Sequence, residues 1–205
     1  MTLPTCYSWF PVGQRLYVPY EASQGQRVNA IGVFFSHGPQ AGRFLFETSA
    51  TVPKSRAKKP RKSLGEIATQ HGLTEPDMGT VDAERVLAFI WKAAGRPAVC
   101  GDGWKRERPL VIALDNYSVH KSQTIQHALP MLEAADVHLL YLPSYSPELS
   151  EIEPVWNDVK HHQMTKRSYT LLGDLKRATD AALQCKADQL LVAYAKTQPL
   201  LQQAA

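Results

Sequence analysis

Residues 111–120 read VIALDNYSVH, and residues 142–160 read LPSYSPELSEIEPVWNDVK. The run at 109–114 is apolar at successive positions and rich in β-branched residues, the pattern of a central strand covered on both faces. Asp115 follows its last apolar residue. Residues 121–135 follow helical spacing, with Ile125, Ala128, Leu129, Leu132 and Ala135 on one side. Pro130 in its middle is a candidate kink or break. Residues 137–142 (VHLLYL) form the next strand. Strand, helix and strand in this order predict a parallel pair joined by a right-handed crossover. A loop at 143–150 then feeds a helix over 151–162, with Glu153 and Pro154 in its first turn.

Working outward, residues 27–36 (RVNAIGVFFS) read as a strand, 37–42 as a Gly- and Pro-containing turn, and 43–48 as the returning strand of a hairpin. Residues 1–21 are rich in aromatics and turn residues and suit short extended pieces, with a turn at 11–13. Residues 49–79 are the least regular part, with a short helix at 64–71. Helical spacing resumes over 81–94, where Val81, Val86, Leu87, Phe89, Ile90 and Trp91 form a stripe and Thr80 is the cap. A loop spans 95–108. Further helices are expected at 171–185 and 187–197, with a frayed tail at 198–205. A hairpin, then strand–helix–strand, then helices predicts a mixed α/β domain with a sheet flanked by helices. An RNase H-like fold is compatible with that order. The expected organisation is one domain over 1–205, divided into a hairpin region (1–48), a basic irregular insert (49–80), a strand–helix–strand–helix unit (109–164) and C-terminal helices (170–197).

The chain has 205 residues, 44% of them hydrophobic and 20% charged, which suits one folded domain. No apolar run approaches a membrane span, and no basic segment followed by an apolar core opens the chain. The expected location is therefore cytoplasmic, with no membrane partner. Cys6, Cys100 and Cys185 are scattered and suggest neither a disulfide framework nor a metal site. The net charge is +4. Lys54, Arg56, Lys58, Lys59, Arg61 and Lys62 fall in one short segment, and Lys160, His161, His162, Lys166 and Arg167 form a second group. Such clusters suit phosphate backbones, and each taken alone equally suits a solvated loop.

Asp115 at a strand end and Glu153 at a helix start are two rigidly carried carboxylates. In open α/β sheets, active sites lie beyond the carboxyl ends of the strands. Hard oxygen ligands of this kind suit Mg2+ or Mn2+ shared with substrate phosphates, the arrangement for in-line displacement at phosphorus. Spacing alone leaves a simpler reading open: Asp115 caps a turn with Asn116, and Glu153 favours its helix N-terminus.

The segment LDNYSVH, followed by LPSYSPELSEIEPVW and then Lys160, closely resembles the DDE transposases of bacterial insertion sequences related to the mariner superfamily. Residues 116 to 152 separate the two acids, within that family's range, and SWFPVGQ at 8–14 resembles the family segment after its first strand. The resemblance implies an RNase H-like catalytic domain that binds transposon ends and target DNA. It implies strand cleavage by metal-activated water, and strand transfer by the freed 3′-hydroxyl. It maps the family's second acid onto Asp115 and its third onto Glu153, with Mg2+ or Mn2+ as cofactor. Glu148 and Glu151 fit the third position less well, because the matching Glu directly precedes Pro154, Val155 and Trp156. Asn116 and His120 belong to the motif around the second acid, with orienting Asp115, contacting phosphate and packing all open as roles. Trp156 is expected to pack beneath the site. Lys160 suits either a phosphate contact or an ordinary exposed lysine. The family works as a homodimer on DNA.

The family also has a first acid shortly before the SWxPxG segment. Here no Asp or Glu precedes Glu21, and Asp77, Asp82 and Asp102 do not match the position. No helix-turn-helix region is seen. The expectation is a C-terminal transposase fragment, with an upstream N-terminal segment as a candidate partner, that binds Mg2+ weakly and cuts DNA poorly or not at all by itself. The competing expectation is a non-catalytic DNA-binding or assembly remnant of a transposase.

Overall fold

A computed structural model describes residue 12 and residues 26–53, 63–101, 103–143, 146–164 and 169–202, with side chains described as far as Lys196 and Pro147 excepted. Apart from residue 12, the expected extended pieces at 1–21 lie outside the described residues, as do the basic group from Lys54 to Lys62 and Lys166 and Arg167 of the second group.

The expected hairpin is present. β1 (Arg27–Phe34) and β2 (Phe44–Thr51) pair antiparallel, from Arg27 opposite Thr51 to Phe34 opposite Phe44. α1 (Leu64–Gln70) starts at Ser63, whose hydroxyl accepts from Glu66 N while the Glu66 carboxylate accepts from Ser63 N, a reciprocal capping box. A 3-10 turn at Glu75–Asp77 leads to α2 (Ala83–Ala93). The cap of α2 is Asp82 rather than the expected Thr80. Its carboxylate accepts from Arg85 N at 2.9 Å, and a carboxylate at a helix N-terminus also opposes the helix dipole.

β3 (Leu110–Leu114) and β4 (Val137–Tyr141) pair in parallel, as the order of elements predicts. A 3-10 turn (Ser118–Lys121) and α3 (Gln123–Ala134) join them. α3 runs unbroken through Pro130, which lies on its exposed side, where a missing N–H is cheapest. The expected stripe faces inward. Ile125 and Leu132 are fully buried, and they pack with Val86 and Ile90 of α2, Ile112 of β3 and Val137 of β4. Coverage of β3 on both faces is not seen among the described residues. Ile112 is buried, whereas Val111 is 61% exposed and Leu140 of β4 is 55% exposed. The reason is helix placement: α2 and α3 both pack on the face that carries Ile112, which leaves the face of Val111 and Leu140 open among the described residues.

α4 (Glu153–Asp158) passes into a π-helical turn (Val159–Gln163). The two helices expected near the C-terminus are one, α5 (Leu172–Gln202), which also takes in most of the expected tail. α5 packs Ala182, Leu183 and Ala187 against Phe44 of the hairpin and Val155 and Val159 of α4 and its π turn. Ion pairs pin it at both ends of that contact. Lys186 Nζ lies 3.0 Å from Asp158, and Lys176 Nζ lies 3.2 Å from Asp77 and 2.9 Å from Asp180. The lysine partner holds the Asp158 carboxyl below the ordinary carboxylate range, and hydrogen bonds from Thr74 do the same for Asp77. The arrangement is a mixed α/β fold, with a hairpin and a parallel pair flanked by helices, compatible with an RNase H-like architecture. No helix of the described residues is long and apolar enough to cross a membrane.

Two predictions follow from this packing. A Cβ at Gly32 would lie 2.9 Å from both the Phe44 and Trp156 rings, so Gly32→Ala should cost about 1–3 kcal/mol in urea unfolding. Lowered carboxylate pKa values give stability that is present above the unfolded Asp value and lost as pH falls through the lower folded value. Asp77→Asn with Asp158→Asn should therefore flatten the loss of stability below about pH 4, read from the midpoint of thermal unfolding against pH.

Candidate active site

The parallel pairing brings the C-terminal ends of β3 and β4 together. The ladder continues one step past β3, with Leu142 N donating to Leu114 O at 2.9 Å. Asp115 is the next residue, so its backbone is anchored by strand hydrogen bonds on one side while its side chain is 60% exposed. The 3-10 turn that follows folds back beneath it. Asp115 Oδ1 accepts from Tyr117 N at 3.0 Å and lies 2.8 Å from His120 Nδ1. With the proton on Nδ1, the imidazole donates to this oxygen and is fixed against Asp115. Tyr117 meets the His120 ring edge to face at 6.0 Å. One carboxylate oxygen is thus held by the chain, and the other has no described hydrogen-bond partner.

Asn116 does something different from its neighbour. Its Nδ2 donates to Leu142 O at 2.6 Å, stitching the loop after β3 to the end of β4. Tyr141, a residue the sequence did not single out, donates from its hydroxyl to His120 O at 2.8 Å. Lys121 Nζ sits 5.9 Å from the centre of the Tyr141 ring. The sequence signal for Tyr141 is a polar tip at the end of a largely apolar strand. Asp115, Asn116, His120, Tyr141 and Leu142 therefore form one connected unit at the strand ends.

Glu153 is the first residue of α4, exposed, with its N–H donating to Ser150 O at 3.0 Å. Among the described residues no hydrogen bond or ion pair joins it to Asp115, and no group of three or more His, Cys, Asp or Glu side chains forms a metal cluster. Trp156 packs where a core residue belongs, edge to face with Phe44 at 5.5 Å and against Gly32. Lys160 is exposed within the π turn, beside exposed His162. Lys54, Arg56, Lys58, Lys59, Arg61 and Lys62 lie outside the described residues.

The residues present suit a divalent cation of the hard, water-retaining kind. Such an ion needs one or two carboxylates and takes its remaining ligands from water and substrate phosphate. An exposed Asp115 with one oxygen committed to His120 and the other open meets that requirement, and Glu153 is an exposed second carboxylate.

A family model described as DDE superfamily endonuclease matches residues 73–176, just over half of the chain. That span includes β3, α3, β4, α4 and both carboxylates. No curated protein matches the chain.

The Asn116 amide ties the loop after β3 to the end of β4. Asn116→Ala leaves Leu142 O without that donor, and it should lower unfolding stability by about 1 kcal/mol, measured by urea titration.

Proposed function

Because this chain belongs to the DDE superfamily endonuclease family, we propose that it is the catalytic domain of an insertion-sequence transposase related to the mariner superfamily. In this reading residues 1–205 form one unit that binds transposon ends and target DNA, as a homodimer on that DNA. It cleaves DNA strands and joins the freed 3′-hydroxyl to target DNA. The observation that carries the reading is the Asp115 carboxylate at the end of β3, with one oxygen engaged by His120 Nδ1 at 2.8 Å and Tyr117 N at 3.0 Å.

Asp115 and Glu153 are the proposed ligands of Mg2+ or Mn2+. When bound, the ion supplies Lewis-acid polarisation of the scissile phosphate and a more acidic water. The chain's own contribution is orientation. His120 and the Tyr117 N–H stop the Asp115 carboxylate from rotating, so its open oxygen keeps one direction. Asn116 and Tyr141 hold the loop and the His120 backbone to β4. Trp156 packs α4 onto the hairpin and so fixes the helix that carries Glu153. Lys160 is a proposed phosphate contact, and so is the basic group Lys54, Arg56, Lys58, Lys59, Arg61 and Lys62.

A second reading, a non-catalytic DNA-binding or assembly remnant, has its own supporting observation: among the described residues no third metal-ligating side chain joins Asp115 and Glu153. One experiment separates the two. Under the catalytic reading, Mn2+-dependent nicking of DNA carrying the element's ends is lost in Asp115→Ala and in Glu153→Ala, while DNA binding by gel shift is retained. DNA binding with no nicking by the wild-type chain, alone or with a transposase N-terminal segment added in trans, sinks the catalytic reading and leaves the remnant. Independently of turnover, His120→Ala should weaken Mn2+ binding about tenfold, read from the electron paramagnetic resonance signal of free Mn2+.

A further inference from the structure

The other end of the β3–β4 pair carries a cavity of about 180 Å³, lined by Trp91, Arg96, Gly103, Trp104, Met131, Ala134 and Ala135. It opens between the C-terminal ends of α2 and α3 and the loop that leads into β3. Trp91 and Trp104 meet edge to face at 6.4 Å, and the Arg96 guanidinium lies 4.6 Å over the Trp91 ring. Arg96 Nε donates to Cys100 Sγ at 3.1 Å, and Met131 on the rim is 58% exposed. Arg106 reaches the same helix end, donating to Ala94 O and to Arg108 O. Among the described residues Arg96, Arg106 and Arg108 form no ion pair with a carboxylate, whereas nearby Lys92 and Lys105 are paired with Glu47 and Asp136.

We propose that this cavity holds an unpaired nucleotide of a DNA strand. The chemistry divides as a nucleotide does. Indole and stacked guanidinium surfaces accept the flat face of any base without reading its edge, and unpaired guanidiniums attract the phosphates beside it. A purely apolar ligand would leave the guanidinium of Arg96, which lines the cavity and has no carboxylate partner among the described residues, unused. Trp104 precedes β3 and Ala135 precedes β4, so the cavity lies at the opposite end of the pair from Asp115. Strands of five residues set the two apart by roughly 16 Å, which a single strand covers in about five stacked nucleotides. An unpaired strand extending from a cut near Asp115 is long enough to reach it. The proposal rests on the DNA-acting reading given above, but not on catalysis by Asp115.

The test titrates the full chain, without metal and at one fixed salt concentration, with a short oligothymidylate and separately with a blunt duplex. Tryptophan fluorescence and anisotropy of the labelled DNA are the readouts. Trp104→Ala removes a wall, and Ala134→Leu fills the cavity from an exposed helix position without changing charge. The expected result is quenching of the wild type by oligothymidylate, and binding about tenfold or more weaker in both variants, as loss of one base–aromatic stack implies. Duplex binding should be unchanged in both. Asp115→Ala should bind oligothymidylate like the wild type, so failure of the catalytic reading leaves this result intact. Equal oligothymidylate affinity for the wild type and Ala134→Leu overturns the proposal. So does a parallel loss of duplex binding, or a change in oligomeric state with no effect on the oligonucleotide, which would mark the cavity as a protein interface.

Discussion

Parallel pairing of β3 with β4 is the constraint on which the rest of the molecule hangs. Two parallel strands put both C-terminal ends at one edge, and the chain must cross back over one face to make that possible. α3 does so by burying Ile125, Ala128 and Leu132 against Ile112 and Val137. Once the register is set, Leu142 N reaches Leu114 O and Asn116 Nδ2 reaches Leu142 O. A carboxylate placed immediately after such a ladder inherits its rigidity. That is why a group 60% exposed is nevertheless held by two donors.

The second carboxylate depends on a different set of contacts. Glu153 begins α4, and α4 is held from below by Val155, Val159 and Trp156 against the hairpin and α5. Gly32 is part of that support, since any side chain there would meet the Trp156 ring. α5 closes the layer through Lys186 and Lys176, whose carboxylate partners belong to α4 and to the 3-10 turn before α2. The two acids therefore ride on different elements, one at the end of the parallel pair and one on the helix packed against the hairpin, and the layers are tied together by Ile31 of β1 in the core of the pair and by Glu47 of β2 with Lys92 of α2.

Some features followed from local pattern, and others from packing partners that pattern does not reveal. The hairpin, the parallel pair, the buried stripe of α3 and the loop after residue 94 were legible because each rests on periodicity or turn residues. Thr80 and Asp82 are both good caps by residue type, and only the chain's path selects Asp82, whose oxygen reaches Arg85 N. Sequence spacing divides α5 into two helices because its polar and apolar residues follow no single stripe, whereas the structure runs it unbroken from Leu172 to Gln202. Asn116 and His120 were visible as motif residues with open roles. Tyr141 was not visible, because a hydrogen bond to the His120 carbonyl is made across the sheet and leaves no mark on sequence spacing.

The sequence by itself determined the element types, the parallel crossover and the position of Asp115 at a strand end, since hydrophobic period and chain order are local properties. It also carried the wording that resembles DDE transposases, and the family match over residues 73–176 agrees at the level of a DDE endonuclease. Only the tertiary structure decided that Asn116 clamps β4 while His120 clamps Asp115. It also decided that one face of β3 is open among the described residues, and that Trp91, Arg96 and Trp104 line a common cavity. These are contacts between segments distant in the chain or on different elements. Side-chain direction and the exact packing of neighbouring elements decide them, and no spacing along one strand or helix encodes either.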